Sequence, residues 1–238
     1  MRFVSKRKVP VKYTVGGILL AGGSDQKIRG GADSAFLSAG SLPALVRAMQ
    51  ALEFCPEVQS FVVVADLERT GIVRAMAARY ACSKLRAVAP AQVSRLACVA
   101  SGLRALPDNA DLVVIHEASR PFVGPSGISA VVQVAAKGKG GATTGFRVTS
   151  GIRTGSSSKP TVQVRMVGGL WMVASPQACV RQVLQKAIVK AKKTKAKIVD
   201  ETNLMDLMGL EVFVVECEDT NLRLQCADDL VVAAHLLG

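Results

Sequence analysis

The chain has 238 residues; half of them are hydrophobic, 4% are aromatic, and 30 Lys and Arg outnumber 18 Asp and Glu. This length and apolar content suffice for one large α/β domain with a buried core, and they exclude an intrinsically disordered chain. The net charge of +12 favours anionic partners such as nucleotides or phosphorylated metabolites, whereas the few aromatic residues argue against a nucleic-acid partner.

Two regions hold much of the positive charge: a basic N-terminal arm, residues 1–14, and the stretch from Lys186 to Lys197. We interpret them as a solvated tail and a solvated helix face. No apolar run is long enough to cross a bilayer, and the N-terminus lacks the features of a secretory signal. The six cysteines lie far apart without metal-binding spacing, so we expect reduced thiols in a cytoplasmic protein without a membrane partner.

Strand-like apolar runs alternate with helix-like patterns along the chain. In chain order, the predicted strands are Val15–Leu20, Phe61–Ala65, Leu85–Val88, Leu112–Ile115, Ala142–Val148 and residues 212–217. The predicted helices are residues 41–54 with Ser41 as cap, one before Leu85, Arg95–Leu106, Ile128–Ala136, Pro176–Lys197 and Ala227–Leu237. This alternation predicts a mostly parallel sheet with helices on both faces, in a single domain from residue 15 to residue 238.

Residues 147–168 interrupt the alternation. They contain most of the run TSGIRTGSSSKPTVQVRM, in which Gly, Ser and Pro leave too little apolar content for a core position. We therefore expect a projecting, partly β arm here.

In a parallel sheet, ligands bind beyond the carboxyl ends of the strands. The loop after the first predicted strand begins Ala21-Gly22-Gly23, and glycine lets the backbone approach a ligand closely. Its backbone N–H groups are candidates for cradling a triphosphate, with Lys27 and Arg29 neutralising the charge. A plain strand-to-helix turn explains the two glycines equally well.

A second polar cluster, His116, Glu117 and Arg120, directly follows the predicted strand Leu112–Ile115. Glu117 is a candidate ligand for Mg²⁺, a cation that prefers oxygen ligands and substrate phosphates. Alternatively, Arg120 pairs with a carboxylate and only fixes the loop. The residues themselves leave both interpretations open.

The order of these motifs resembles the 2-C-methyl-D-erythritol 4-phosphate cytidylyltransferase family from about Val15 to Leu237. The resemblance rests on LAGG, on R-x-x-x-V-x-x-GL, and on VIHEASRPFV followed by GLW and SPQ, VDET and NLRL with DDL. It implies a Rossmann-like three-layer αβα nucleotidyltransferase fold in which the arm, residues 147–168, forms a homodimer. It also implies CTP as substrate, Mg²⁺ as cofactor and pyrophosphate as a product.

The resemblance implies a role for several individual residues. The implied catalytic residues are Lys27, Ser34 and Arg223, and the implied metal ligand is Glu117. The implied nucleotide-binding residues are Ala21, Gly22, Gly23, Ala91, Arg95, Cys98 and His116. The implied substrate-binding residues are Arg120, Arg153, Arg165 and Ser175.

Some of these positions depart from the family pattern. Lys27 stands where the family has an arginine, and Ser34 where it has a lysine. Glu117 replaces an aspartate, Cys98 a serine and Arg223 a lysine. Loss of a cation at a phosphate site removes charge stabilisation of the transition state, so these departures bear directly on activity.

The implied reaction joins CMP from CTP to 2-C-methyl-D-erythritol 4-phosphate, a step of isoprenoid precursor synthesis. Two alternatives to this reaction stay open. In the first, the chain is a catalytically impaired homologue that acts as a dimeric nucleotide- or protein-binding protein. In the second, it is a cytidylyltransferase for another polyol phosphate such as ribitol 5-phosphate.

Overall fold

The computed structural model describes residues 13–23, 26–29, 31–137, 140–155, 162–163 and 169–236. Nearly all of the predicted N-terminal arm and the candidate substrate-binding residue Arg165 lie outside these residues. Within them, no helix is long and apolar enough to span a membrane.

The strands and helices alternate much as the sequence predicts. The strands are β1 (Val15–Leu20), β2 (Ser38–Ala39), β3 (Leu42–Pro43), β4 (Val58–Ala65), β5 (Leu85–Pro90), β6 (Leu112–Glu117), β7 (Gly141–Arg147), β8 (Arg153–Thr154), β9 (Val162–Gln163), β10 (Trp171–Val180) and β11 (Val212–Glu216). The helices are α1 (Ala44–Phe54), α2 (Thr70–Arg79), α3 (Arg95–Ala105), α4 (Pro125–Lys137), α5 (Arg181–Thr194), α6 (Glu201–Leu207) and α7 (Ala227–Leu236).

Seven of the strands form one sheet in the order β11-β7-β10-β6-β1-β4-β5. Strand β10 pairs antiparallel with both β6 and β7, and the other pairings in the sheet are parallel. The predicted mostly parallel sheet is therefore confirmed. The direction of β10 was not foreseen.

The side chains of β1 show how the sheet is sandwiched. Leu19 points into a core shared with α1, α2 and α4, whereas Ile18 and Leu20 point into a second core shared with α3, α5 and α6. Successive strand residues face opposite sides of a sheet, so a run that is apolar throughout is buried on both faces. The three-layer arrangement of helices, sheet and helices is confirmed.

The prediction of one long helix over Pro176–Lys197 is wrong. Residues up to Val180 belong to β10, and α5 begins at Arg181. A proline before an amphipathic run is typical of a helix start, and both faces of this part of β10 are buried, so the two-residue alternation that marks a strand is missing. The sheet accommodates Pro176 because the pairing of β10 with β7 shifts register between Ala174 and Gln177.

The predicted cap of the first helix is also wrong. Helix α1 begins at Ala44 after Pro43, and no side chain caps it. Ser41 instead lies between the short strands β2 and β3, which form an antiparallel hairpin. A local cap motif does not reveal that the preceding residues are paired elsewhere.

The basic stretch from Lys186 to Lys197 lies mostly on α5, as predicted. Helix α5 buries Leu184, Ala187, Ile188 and Ala191 against the second core, and its lysines are exposed. The cysteines agree with the sequence as well: all six are free, and four of them are buried.

The predicted arm is described only in part. Strand β8 pairs antiparallel with β9, which is the partly β character that the sequence predicts. Whether this arm forms a dimer, and whether residues 15–238 form a single domain, stays a prediction.

Candidate active site

The candidate site lies at the carboxyl ends of β1, β4, β5 and β6, which are neighbours in the sheet. The last residue of β6, Glu117, is in register with the last residue of β1, Leu20. The loops that follow these strands therefore meet at one edge, as the parallel topology predicts.

Two glycines allow the loop after β1 to approach its neighbours. A Cβ atom on Gly22 would lie 2.7 Å from the backbone nitrogen of Asp66 and 2.9 Å from the Cβ of Ala91. Gly23 has a φ of +91°, and its N–H donates to Asp66 Oδ1 over 3.3 Å. Glycine is required here because three loops crowd together, and Gly23 also needs the left-handed conformation.

A small cleft, open to solvent, lies between the loops after β1 and β5. It is lined by Leu20, Gly22, Gly23, Gln26, Gln92, Ser94, Arg95 and Cys98. Four residues implied by the resemblance, Gly22, Gly23, Arg95 and Cys98, are therefore brought together. Ala21 and Ala91 flank the cleft through backbone bonds to β4, from Ala21 N to the Val64 oxygen and from Ala91 N to the Ala65 oxygen, each 2.8 Å.

A buried ion-pair cluster surrounds Glu117. Arg95 Nη1 donates to Glu117 Oε1, and Arg120 Nε donates to Glu117 Oε2 over 3.0 Å. Arg95 also donates two bonds to Glu201, over 2.8 and 2.9 Å, and Arg223 Nη2 lies 3.8 Å from Glu117 Oε1. Three guanidinium groups thus face two carboxylates, which leaves one net positive charge.

Opposite charges in the cluster shift the pKa values of Glu117 and Arg95 so that each group keeps its charge. Burial by itself raises the pKa of the Glu117 carboxyl, but attraction by Arg95, Arg223 and Arg120 outweighs it and lowers the pKa to about 2. Burial lowers the pKa of the Arg95 guanidinium, and the carboxylates of Glu201 and Glu117 more than reverse this effect. Glu117 and Arg95 are therefore both ionised at neutral pH.

Sequence reasoning did not identify Glu201 as a site residue. It begins α6, whose capping box links Asp200 and Asn203, and the Glu201 N–H donates to Gln177 Oε1 over 2.9 Å. These bonds hold the Glu201 carboxylate against Arg95, 106 residues away in the chain. Glu201 is the glutamate of the VDET motif, but only the tertiary structure reveals Arg95 as its partner.

His116 and Ser175 form a fully buried support beneath the cluster. His116 Nδ1 lies 3.0 Å from Ser175 Oγ, and Nε2 lies 3.2 Å from the Arg120 carbonyl oxygen. Burial lowers the pKa of His116 to about 4, so the ring is neutral, and the carbonyl requires the proton to sit on Nε2. Because neither side chain reaches an open surface, both act by positioning the end of β6, which carries Glu117, and the turn that carries Arg120.

Asn221 holds Arg120 from the opposite side. The Arg120 Nη1 group donates to the Asn221 carbonyl oxygen over 2.9 Å, and Asn221 Nδ2 donates to the Ser175 carbonyl oxygen over 3.0 Å. Arg120 and Arg223 remain partly accessible, with side chains 12% and 27% exposed. These two are consequently the more exposed guanidinium groups of the cluster, since the Arg95 side chain is 7% exposed.

The candidate catalytic residues of the first loop have different surroundings. Lys27 is exposed, and its backbone bridges to Asp33. Ser34 is fully buried, and its Oγ donates to the Gln26 carbonyl oxygen over 2.6 Å. The structure therefore leaves Lys27 open to a ligand and gives Ser34 a structural bond. The candidate Arg153 lies exposed on β8.

The donor set at Glu117 does not fit a resident Mg²⁺. Both carboxylate oxygens accept hydrogen bonds from arginines, and a third guanidinium lies near, so a cation at this position would be repelled. Within the described part of the chain, no group of three or more His, Cys, Asp or Glu side chains is arranged to hold a metal ion.

Comparison with known proteins agrees with this geometry. The family model for 2-C-methyl-D-erythritol 4-phosphate cytidylyltransferase matches residues 15–238. A relative of that name from Pelotomaculum thermopropionicum is 29% identical over 224 residues, which cover 94% of each chain. A bifunctional IspD/IspF enzyme from Desulforudis audaxviator is 32% identical over 93% of this chain and 56% of its own length.

Solved structures show the same fold. The 4-diphosphocytidyl-2C-methyl-D-erythritol synthase of Anaerococcus prevotii superimposes with a TM-score of 0.83 at 18% identity, covering 94% of this chain and 96% of that chain. The 2-C-methyl-D-erythritol 4-phosphate cytidylyltransferase of Thermus thermophilus gives a TM-score of 0.71 at 22% identity, covering 92% and 97%.

Proposed function

This chain belongs to the 2-C-methyl-D-erythritol 4-phosphate cytidylyltransferase family, and we propose that it joins CMP from CTP to 2-C-methyl-D-erythritol 4-phosphate with release of pyrophosphate. The observation that carries the proposal is the arginine cluster on Glu117 beside the glycine loop. It combines a rigid cationic surface with a backbone that a nucleotide can approach closely.

The glycine loop and the cleft form the nucleotide side of the site. The loop after β1 supports the phosphates, because Gly22 and Gly23 line the cleft with backbone and the loop carries the exposed Lys27. The adjoining cleft takes the base, because Leu20, the two glycines and Cys98 give part of its lining an apolar character. Ala21 and Ala91 hold the two walls to β4.

The arginine cluster forms the acceptor side. Glu117 fixes Arg120 and attracts Arg223, and both guanidinium groups keep exposed edges. A guanidinium held in place by a buried carboxylate binds a phosphate without first losing side-chain freedom. Arg95 has a different task, because two carboxylates surround it and hold α3 to β6 and α6.

The proposed reaction follows from this division. An oxygen of the acceptor phosphate attacks the α-phosphorus of CTP, a new phosphorus–oxygen bond forms, and the bond to the β-phosphate breaks. The electron pair leaves with pyrophosphate. Alignment of the two substrates and fixed positive charge are the main requirements of such a transfer, so no side chain needs to form a covalent bond.

In this proposal, Mg²⁺ enters with CTP as the magnesium–nucleotide complex. The ion usually keeps several waters and binds substrate phosphates, so it needs few protein ligands. Glu117 then acts as the anion that orders the arginines and not as a metal ligand.

Three further parts of the proposal concern the whole protein. The arm from residue 147 to residue 168 forms a homodimer, and Arg153 and Arg165 bind the acceptor substrate. The chain works in the cytoplasm. A monomer in light scattering at working concentration would contradict the dimer.

Pyrophosphate release with CTP tests the reaction, with 2-C-methyl-D-erythritol 4-phosphate and ribitol 5-phosphate as alternative acceptors. We expect turnover with the first, and we expect Arg223→Ala to reduce it by about 10²- to 10³-fold, as for loss of one stabilising group in the transition state. Arg74→Ala is the matched control, because Arg74 is an exposed arginine of α2 and its loss changes the net charge equally.

Each other outcome identifies an alternative. Preference for ribitol 5-phosphate would indicate a cytidylyltransferase for another polyol phosphate. Selective CTP binding without turnover on either acceptor would favour a nucleotide-binding homologue that has lost catalysis. Absence of both binding and turnover would refute the proposed function.

A further inference from the structure

Gln26, in the loop after β1, has an acceptor atom that its surroundings leave unused. The residue is 2% exposed, and its buried Oε1 has no hydrogen-bond partner among the residues that the structure describes. Buried polar atoms are almost always paired, so an unpaired acceptor beside a candidate site is open to a donor from a ligand. Gln26 also lines the cleft beside the glycine loop.

The backbone of Gln26 is fixed on both sides. Its N–H donates to the Gly23 oxygen over 3.1 Å, and its own carbonyl accepts from Ser34 Oγ over 2.6 Å. Ser34 is fully buried, so this second bond is protected from water. The backbone that carries the side chain is therefore fixed at the cleft in advance of ligand binding, which lowers the entropic cost of using it.

The other polar side chains of the cleft have partners or meet water. Arg95 is held by two carboxylates, and the Cys98 thiol donates to the Gln92 oxygen over 3.2 Å. Ser94 accepts from the backbone as the cap of α3, and both Ser94 and Gln92 are exposed. The Gln26 amide oxygen is thus the buried acceptor that a bound nucleotide can satisfy.

We propose that the Gln26 amide oxygen accepts a hydrogen bond from the 4-amino group of cytosine and thereby selects CTP over UTP. The inference rests on the proposed function, since it takes the cleft as the site of the base. Phosphate oxygens only accept hydrogen bonds, so the triphosphate has no donor for the Gln26 amide oxygen. The donors of CTP are its ribose hydroxyls and the base amine, and Leu20 and Cys98 give the cleft an apolar part that favours the base.

Selection follows from the difference between the two bases. Cytosine presents an N–H donor at position 4, where uracil presents a carbonyl oxygen. A buried acceptor that faces another acceptor remains unpaired, and sites built around a hydrogen bond discriminate strongly against a ligand that lacks the matching group. Gln26 therefore favours the amine and rejects the carbonyl.

Isothermal titration of the full chain with CTP, UTP and 2′-deoxy-CTP, each with Mg²⁺, tests the assignment. Gln26→Met keeps the length of the side chain and removes the acceptor. We expect it to raise the Kd for CTP about tenfold, the effect of one hydrogen bond, and to leave the Kd for UTP unchanged. Gln92→Met, a glutamine of the same cleft, should leave the CTP-to-UTP ratio unchanged within about twofold.

A second variant separates the acceptor from the fold. Gln26→Glu keeps an acceptor oxygen and should retain the preference for CTP even if its negative charge weakens the binding of both nucleotides. An unchanged ratio in Gln26→Met, or an equal loss in Gln92→Met, would overturn the inference alone. A Gln26→Met effect that disappears with 2′-deoxy-CTP would assign the donor to the ribose and overturn the base assignment. A wild-type chain that binds neither CTP nor UTP would overturn the proposed function as well.

Discussion

Replacing Glu117 by glutamine tests whether the arginine cluster depends on this one carboxylate. The substitution keeps the size of the side chain and removes a single negative charge. Arg95, Arg120 and Arg223 then face Glu201 as the remaining carboxylate of the cluster. Like-charge repulsion among three buried or half-buried guanidinium groups is no longer offset, so we expect a less stable protein.

The magnitude follows from the position of Glu117. Its side chain is 5% exposed, and its pKa falls from the ordinary value of 4.5 to about 2. At about 1.4 kcal/mol per pKa unit, this difference corresponds to about 3 kcal/mol of stability. Loss of one member of a buried ion pair costs about 3–5 kcal/mol in general, which agrees.

The pH dependence has a definite sign. A carboxyl whose pKa is lower in the folded state stabilises the fold fully above its unfolded pKa, and the stabilisation disappears as the pH falls toward the folded pKa. The difference between wild type and Glu117→Gln should therefore be full at pH 7 and should shrink between about pH 4.5 and pH 2.

Urea unfolding at a series of pH values measures this difference. Glu216→Gln is the matched control, because Glu216 pairs with Arg147 on the surface and such pairs contribute under about 1 kcal/mol. A Glu117→Gln loss no larger than that of the control would refute the reasoning. A loss that stays constant down to pH 3 would show that the effect is steric and not electrostatic.

Two other substitutions test the loop after β1. Gly22→Ala places a Cβ 2.7 Å from the Asp66 nitrogen, so we expect it to displace the loop and to weaken CTP binding at least tenfold in a titration. Gly71→Ala is the control and should bind CTP normally, because there is open space around its Cβ. Ser34→Ala removes the bond to the Gln26 carbonyl and should lower the free energy of unfolding by about 1–3 kcal/mol in urea; an unchanged midpoint would mean that the bond contributes nothing.

The location of the site could be predicted from the sequence because it depends on topology. Apolar strands that alternate with helices give a parallel sheet, and polar residues directly after such strands meet at one edge. This reasoning placed the glycine loop and His116, Glu117 and Arg120 at that edge, where the structure has them. The role of each side chain did not follow, since burial and partners are not local properties.

Ser34 and Glu117 show the limit most clearly. The resemblance implies a catalytic role for Ser34 and a metal-binding role for Glu117. In the structure, Ser34 is fully buried and donates to the Gln26 carbonyl oxygen, and Glu117 is paired with Arg95 and Arg120. Gln26 shows the reverse case. Nothing in its neighbourhood in the sequence marks it, and its proposed role rests on an amide oxygen without a hydrogen-bond partner among the described residues, which only the tertiary structure reveals.

The sequence by itself determined the elements whose pattern is local: the strands apolar on both faces, the amphipathic helices and the glycine turn after β1. The tertiary structure decided what depends on distant contacts. The end of β10, from Pro176 to Val180, was mistaken for helix because the partners of this strand, β6 and β7, supply the burial and the register shift that accommodate Pro176. The Arg95–Glu201 pair joins residues 106 positions apart, and no local pattern specifies such a pair, because charge pairing is set by packing and not by spacing in the chain.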